Sequence, residues 1–176
     1  MTTDSTTTLY TTTVDSPCGP LLCVVDEAGA VIRIEFGKGR EAQKITERLR
    51  DSGVEIVEDP ARTAEVRRQL AEYFAGERRE FDLTLAPAGT PFELAVWEEL
   101  RRIPFGETRS YGEIARALGR PTAYRAVGRA NGANPIPIVV PCHRVIGSNG
   151  SLTGFGGGLD AKSRLLELEG QALPFG

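Results

Sequence analysis

A thiol stands beside an imidazole in Pro141-Cys142-His143-Arg144-Val145, and His143 is the chain's one histidine. The thiolate, not the thiol, is the reactive form of cysteine, so a nucleophilic Cys142 needs a proton acceptor, and His143 is the imidazole available. The preceding run Asn134-Pro135-Ile136-Pro137-Ile138-Val139-Val140 is apolar and, with Pro141, carries three prolines. Prolines at that spacing forbid a helix, so Cys142 is expected on a stiff, partly buried segment. The pair alone fits several enzyme classes, a cysteine hydrolase among them.

The elements around this segment are legible from capping and periodicity. Thr90-Pro91-Phe92-Glu93 reads as a capping box with proline in the first turn, opening a helix to about Arg102. Its apolar positions Phe92, Ala95, Val96, Leu100 and Ile103 recur at helical spacing and are expected in the core, as is Trp97. Ser110–Leu118, the break Gly119-Arg120-Pro121 and then Thr122–Asn131 form a helix-turn-helix pattern. In its second helix Ala123, Ala126 and Ala130 make a small-residue face, with Arg125 and Arg129 four apart on another. Lys162–Glu169 reads as a helix stopped by Gly170. Glu169 falls four residues after Leu165 and three after Leu166, a buried edge where a carboxylate needs a partner.

The first half reads as a small α/β unit. Short β-prone segments at Tyr10–Val14, Leu21–Asp26 and Val31–Phe36 precede a helix over Glu41–Asp51, a strand over Val54–Val57 and a helix over Thr63–Phe74. Residues 1–9 read as a polar, disordered tail, 10–80 as the first domain, 81–90 as an extended linker and 91–176 as the second domain. The net charge of −3 is uneven: residues 1–90 carry 11 basic and 16 acidic side chains, residues 91–176 carry 10 and 8. Seven arginines lie within 101–129 against Glu107 and Glu113, which suggests a phosphate-facing surface or a solvated helix face. No apolar run approaches a membrane span and the N-terminus has no signal pattern, so the expected compartment is the cytoplasm. Three cysteines do not make a disulfide framework.

Ser110-Tyr111-Gly112, Arg125-Ala126-Val127-Gly128, Asn134-Pro135, Pro141-Cys142-His143-Arg144-Val145 and Gly154-Phe155-Gly156-Gly157-Gly158 together resemble the O6-alkylguanine-DNA alkyltransferases, in their short, constitutive form. More loosely, Asp15-Ser16-Pro17 with Gly19-Pro20, and Tyr73-Phe74-Ala75-Gly76, resemble landmarks of that family's first half. The resemblance implies an α+β fold: a ribonuclease H-like α/β domain followed by a mainly helical domain with a winged-helix-like helix-turn-helix. It implies direct, irreversible transfer of an alkyl group from O6 of guanine in duplex DNA to Cys142, without a cofactor or metal, by a protein acting as a monomer. Cooperative assembly on DNA and activity on O4-alkylthymine are left open.

By the same resemblance His143 accepts the thiol proton through a water, and Glu169 orients the imidazole, a relay expected to lower the thiol pKa. Asn134 ties the helix-turn-helix to the active-site segment, and Tyr111 donates a proton to the departing base. Val145, Phe155, Gly156 and Gly157 form the base pocket, with carbonyls of Cys142 and Val145 and the Gly156 amide on the base edge. Arg125 enters the gap left by a flipped base from the minor groove, Ala123 and Ala126 permit close approach, and Arg129 and Arg116 add phosphate contacts. Phe155 and Gly156 replace a tyrosine and a serine of some relatives, which removes a hydroxyl contact and could widen the pocket. The zinc site of certain relatives does not carry over: Cys18 and Cys23 lack further ligands and are read as buried hydrophobes. The rivals are a non-catalytic alkylated-DNA-binding module and a cysteine hydrolase. The hydrolase leaves the helix-turn-helix and its arginines unexplained.

Overall fold

A computed structural model describes residues 6–37 and 40–172; residues 1–5 of the expected tail lie outside them. The chain divides into two compact units between Ala86 and Pro87.

In the first unit β1 (Thr8–Val14), β2 (Leu21–Val25), β3 (Val31–Phe36) and β4 (Glu55–Glu58) form one sheet in the order β3-β2-β1-β4. β1 runs parallel to β4 and antiparallel to β2, and β2 runs antiparallel to β3. Every residue of β2 is buried, as a strand covered on both faces requires. On one face Leu9, Leu22 and Val24 pack with Ala42 and Leu49 of α1 (Arg40–Asp51) and with Ile32, Val54 and Ile56. α2 (Ala64–Phe74) buries Val66, Leu70 and Tyr73.

Two boundaries differ from the sequence reading. The strand begins at Thr8, because Thr8–Thr11 pair with Glu55–Glu58 and Leu9 is buried; the polar tail is therefore shorter than residues 1–9. The expected linker is, in its first part, folded onto the first unit. Val31 donates to the Thr84 carbonyl at 2.8 Å, Ala86 donates to Val31 at 2.9 Å, and the Gln69 amide exchanges hydrogen bonds with the Asp82 backbone. Of the two early cysteines Cys23 is buried, but Cys18 sits half-buried in a turn where its backbone N–H donates to Ser16 Oγ.

The second unit opens with α3 (Pro91–Arg101), whose capping box is present in both directions: Glu93 N–H to Thr90 Oγ1 at 3.2 Å and Thr90 N–H to Glu93 Oε2 at 2.9 Å. A second box, not anticipated, joins Ser110 and Glu113 at the start of α4 (Tyr111–Ala117). Gly119 takes φ +70 at the turn into α5 (Tyr124–Gly132), a conformation glycine adopts without a Cβ clash. A 3-10 turn at Cys142–Arg144 leads into β6 (Val145–Ile146), paired parallel with β5 (Arg109–Ser110), and α6 (Leu159–Leu168) ends the unit. α6 starts at Leu159, three residues before the expected Lys162.

Val96, Trp97, Leu100, Ile103, Ile114, Ala115, Val127 and Ala130 form the centre of this unit, while Phe92 is only half-buried and Ala95 is exposed. Trp97 Nε1 donates to the Ala130 carbonyl at 2.8 Å, pinning α5 to α3. The expected alanine face is split: Ala130 belongs to the core, and Ala123 and Ala126 are half-exposed. No helix of the described residues is long and apolar enough to cross a membrane.

Replacing Trp97 with Phe deletes the buried donor and leaves the Ala130 carbonyl with only the Ala133 N–H, at 3.2 Å. The expected loss is about 1–3 kcal/mol of unfolding free energy, checked by urea titration.

Candidate active site

Cys142 lies on the 3-10 turn at 4 % exposure, and the segment before it is a tight loop, not a strand. Asn134 holds that loop. Its Nδ2 donates to the Val140 carbonyl at 2.9 Å and its Oδ1 accepts from the Ile136 N–H at 3.0 Å. Within the loop Ile138 has φ 74, a left-handed conformation that is costly for a β-branched residue. Ile138 is fully buried, so the surrounding packing over-determines it.

Behind the thiol, His143 and Glu169 meet as expected: His143 Nε2 lies 2.8 Å from Glu169 Oε1, both side chains wholly buried. Arg144, unassigned in the sequence reading, grips the same carboxylate with Nε on Oε2 at 2.9 Å and Nη2 on Oε1 at 2.8 Å. Its Nη1 donates to the Ile103 carbonyl at 2.6 Å. Burial by itself would raise the Glu169 carboxyl, but hydrogen bonds from His143 and Arg144, with the Arg144 charge, hold it at about 2. Burial outweighs Glu169 at His143 and lowers the imidazole below its ordinary value, so the ring is neutral at neutral pH. Glu169 is then charge-paired with Arg144, not with His143. An ionised carboxylate only accepts, so the ring proton sits on Nε2 and leaves Nδ1 as a lone pair. Nδ1 is buried and makes no protein hydrogen bond.

The thiol corrects one expectation. Burial pushes Cys142 up to about 11, and the Asn134 hydrogen bond, the Lys162 charge and backbone N–H groups only partly oppose this. The resting thiol is therefore protonated at neutral pH, not lowered by the relay. Its carbonyl is already engaged, accepting the Val145 N–H and, at 3.4 Å, Asn131 Nδ2.

Tyr111, first residue of α4, places its hydroxyl 2.8 Å from Thr153 Oγ1 on the glycine loop. Phe155 is half-buried, Gly156 exposed and Gly157 half-buried on that loop, and no atom lies within 4 Å of where a Cβ of Gly156 would stand. Val145 is buried and its carbonyl accepts from Lys162 Nζ at 2.6 Å. On and just before the helix-turn-helix, six arginines separate into two sets. Arg101, Arg102 and Arg109 pair with Glu98, Glu99 and Glu107, whereas Arg116, Arg125 and Arg129 are exposed and make no ion pair among the described residues. The Arg125 guanidinium lies 5.9 Å from the ring of Tyr124, an exposed aromatic that sequence reasoning passed over.

Lys162 and Asn131 were also missed, although periodicity marks both. Lys162, Leu165, Leu166 and Glu169 follow i, i+3, i+4, i+7, and Asn131 continues the buried stripe of Val127 and Ala130.

Residues 9–87 match the ribonuclease-like domain of 6-O-methylguanine DNA methyltransferase, and residues 91–171 match its DNA-binding domain. A methylated-DNA–protein-cysteine methyltransferase of Methanosarcina acetivorans is 51 % identical over 162 residues, which is 92 % of this chain and 99 % of that protein. The Mycobacterium tuberculosis protein of the same description is 48 % identical, covering 92 % of this chain and 93 % of its own. The crystal structure of Mycobacterium tuberculosis O6-methylguanine methyltransferase superposes with a TM-score of 0.80 at 46 % identity over 92 % of each chain. A structure of the Mycobacterium tuberculosis protein in complex with DNA superposes with 0.77 at 45 %, again over 92 % of each. A helix-turn-helix domain that buries a cysteine beside an acceptor imidazole defines a thiol protein directed at nucleic acid. Within that class the chain belongs to the 6-O-methylguanine DNA methyltransferase family, and the expected α+β class, sheet domain first and helical domain second, is the fold observed.

The buried carboxylate sets an acid limit. Its folded pKa near 2 lies below the ordinary 4.5, so it contributes stability above about pH 4.5 that is lost as pH falls toward 2. Glu169→Gln is expected to flatten that part of the stability profile measured by urea unfolding between pH 6 and 2. Glu169→Ala, which leaves Arg144 buried and unpaired, is expected to lose about 3–5 kcal/mol at neutral pH.

Proposed function

We infer that the chain repairs DNA by moving an alkyl group from O6 of guanine to one of its own cysteines, once per molecule. The observation that carries the residue assignment is the buried, neutral imidazole with its lone pair on Nδ1, fixed beside Cys142 by an ionised carboxylate. Cys142 is the alkyl acceptor. Its S–H bond breaks and the proton passes through a water to His143 Nδ1; a sulfur–carbon bond forms as the carbon–O6 bond breaks. The electrons left on the guanine are met by a proton from the Tyr111 hydroxyl. Because the thiol rests protonated, deprotonation accompanies alkyl transfer. The product thioether has no leaving path, so one protein corrects one base.

A base inside a duplex does not reach a buried sulfur, so it must leave the stack. Arg125, exposed and without a carboxylate partner, suits the vacated position, and the half-exposed Ala123 and Ala126 let α5 approach the minor groove. Arg116 and Arg129 supply phosphate contacts. Val145, Phe155, Gly156 and Gly157 line the pocket for the flipped guanine, with Asn134 holding the loop that carries the thiol. The site of this work is the cytoplasm.

Intact-protein mass after incubation with a duplex bearing one O6-methylguanine is expected to show one added methylene, located on Cys142 and absent from Cys142→Ser, which still binds the duplex. Transfer to Cys142→Ser would overturn the assignment. Retained binding without mass gain would instead mark a binding module, and repeated turnover of an ester would mark a hydrolase. Arg125→Ala is expected to slow transfer from duplex roughly tenfold or more, since unstacking a base costs a few kcal/mol, while transfer from the free modified base is unchanged.

A further inference from the structure

Tyr124 is the first residue of α5 and stands 49 % exposed, the one aromatic among the large apolar side chains left to solvent in the described residues. A single exposed ring explains nothing by itself. Its place on the helix does. Tyr124, Gly128 and Asn131 fall at i, i+4 and i+7 on one face of α5. Gly128 packs on Tyr111, whose ring carbons lie 3.8 Å from where a Cβ would stand, and Asn131 Nδ2 reaches the Cys142 carbonyl at 3.4 Å. The face that carries the exposed ring therefore runs, over about 10 Å of helix, down to the phenol and the turn bearing the thiol.

Arg125 follows directly. Successive residues of a helix diverge by about 100° around its axis, yet the Arg125 guanidinium lies 5.9 Å from the Tyr124 ring, so the two head groups converge outside α5. Both are exposed, Arg125 makes no ion pair among the described residues, and Ala123 and Ala126 on either side are small. Extruding a nucleotide leaves two things unsatisfied in a duplex: the hydrogen-bonding edge of the abandoned partner and the flat faces of the bases that flanked the lost one. A guanidinium fork donates to an edge. A phenol ring offers a π-face on which any base stacks.

We propose that Tyr124 is a DNA-stacking residue: as the alkylated nucleotide swings toward Cys142, the ring packs on a base face that extrusion lays bare, while Arg125 meets the abandoned edge. Stacking is tolerant of sequence, which suits a protein that must open a duplex wherever the lesion falls. This inference rests on the reading that the chain extrudes an alkylated guanine.

Single-turnover methyl transfer from a duplex bearing one O6-methylguanine tests it, and an exposed side chain can be replaced without disturbing the core. Tyr124→Ala is expected to slow transfer roughly tenfold or more, the loss of one base–aromatic stack. Tyr124→Phe, which keeps the ring, is expected to retain the parent rate. Transfer from the free modified base and affinity for undamaged duplex are expected to be unchanged in Tyr124→Ala, since neither presents a bared base face. Undiminished duplex transfer by Tyr124→Ala overturns the proposal. An equal loss of affinity for undamaged duplex also overturns it, because that marks a plain groove contact. In an Arg125→Ala background, Tyr124→Ala is expected to cost a further factor. No further loss there would mean that the ring only holds the guanidinium, which refutes the stacking role. Absence of transfer by the parent protein would instead refute the repair reading itself.

Discussion

The Glu169 carboxylate is the fixed point of the catalytic half. It is buried, ionised and shared by a bidentate arginine and an imidazole. A carboxylate in that position would be expelled or protonated without Arg144, since taking an unpaired charge out of water costs several kcal/mol. Arg144 directly follows His143, so the fork that neutralises Glu169 also fixes the backbone of the turn on which Cys142 sits. His143 is then neutral by burial and oriented by a carboxylate whose charge is already matched. The ring can receive a proton without first losing one.

That arrangement explains why Pro-Cys-His-Arg-Val works as a unit. Asn134 and the prolines force the chain into a loop whose strain is localised at Ile138, and the apolar packing of that residue keeps the loop closed. The thiol is delivered to a buried site where sulfur is neutral until something displaces its proton. The α4 and α5 helices attach to this site at separate points: Trp97 pins α5 through Ala130, Asn131 of α5 reaches the Cys142 carbonyl, and Tyr111 of α4 touches the glycine loop. DNA-facing and sulfur-bearing parts are thus one packed body.

Much of this was legible in the sequence where a local rule had one outcome. Thr90-Pro91-Phe92-Glu93 caps a helix in any context, and Glu169 on the edge of a leucine stripe had to find a partner. Lys162 obeyed the same stripe, yet a lysine is read as solvated by habit, so its burial went unseen. Arg144 could not be placed at all, because its role depends on Ile103 and Glu169, 41 and 25 residues away. The linker failed for a related reason: Gln69, buried on α2, supplies hydrogen bonds to Asp82 that no composition signal announces. The alanine face is divided: Ala130 is buried beside Val127, while Ala123, at the N-cap, and Ala126 are half-exposed.

Burial of the nucleophile has a consequence for selectivity. An exposed thiolate of low pKa would react with many electrophiles, and a protein consumed by one reaction is lost with each such event. Burial disfavours ionisation of the resting thiol, and on the proposed transfer sulfur gains its charge only where an alkyl group is ready to quench it. A hydrolase would then need the sulfur back. On the proposed transfer the product is a thioether, and the imidazole beside it has no thiol left to activate against the new bond.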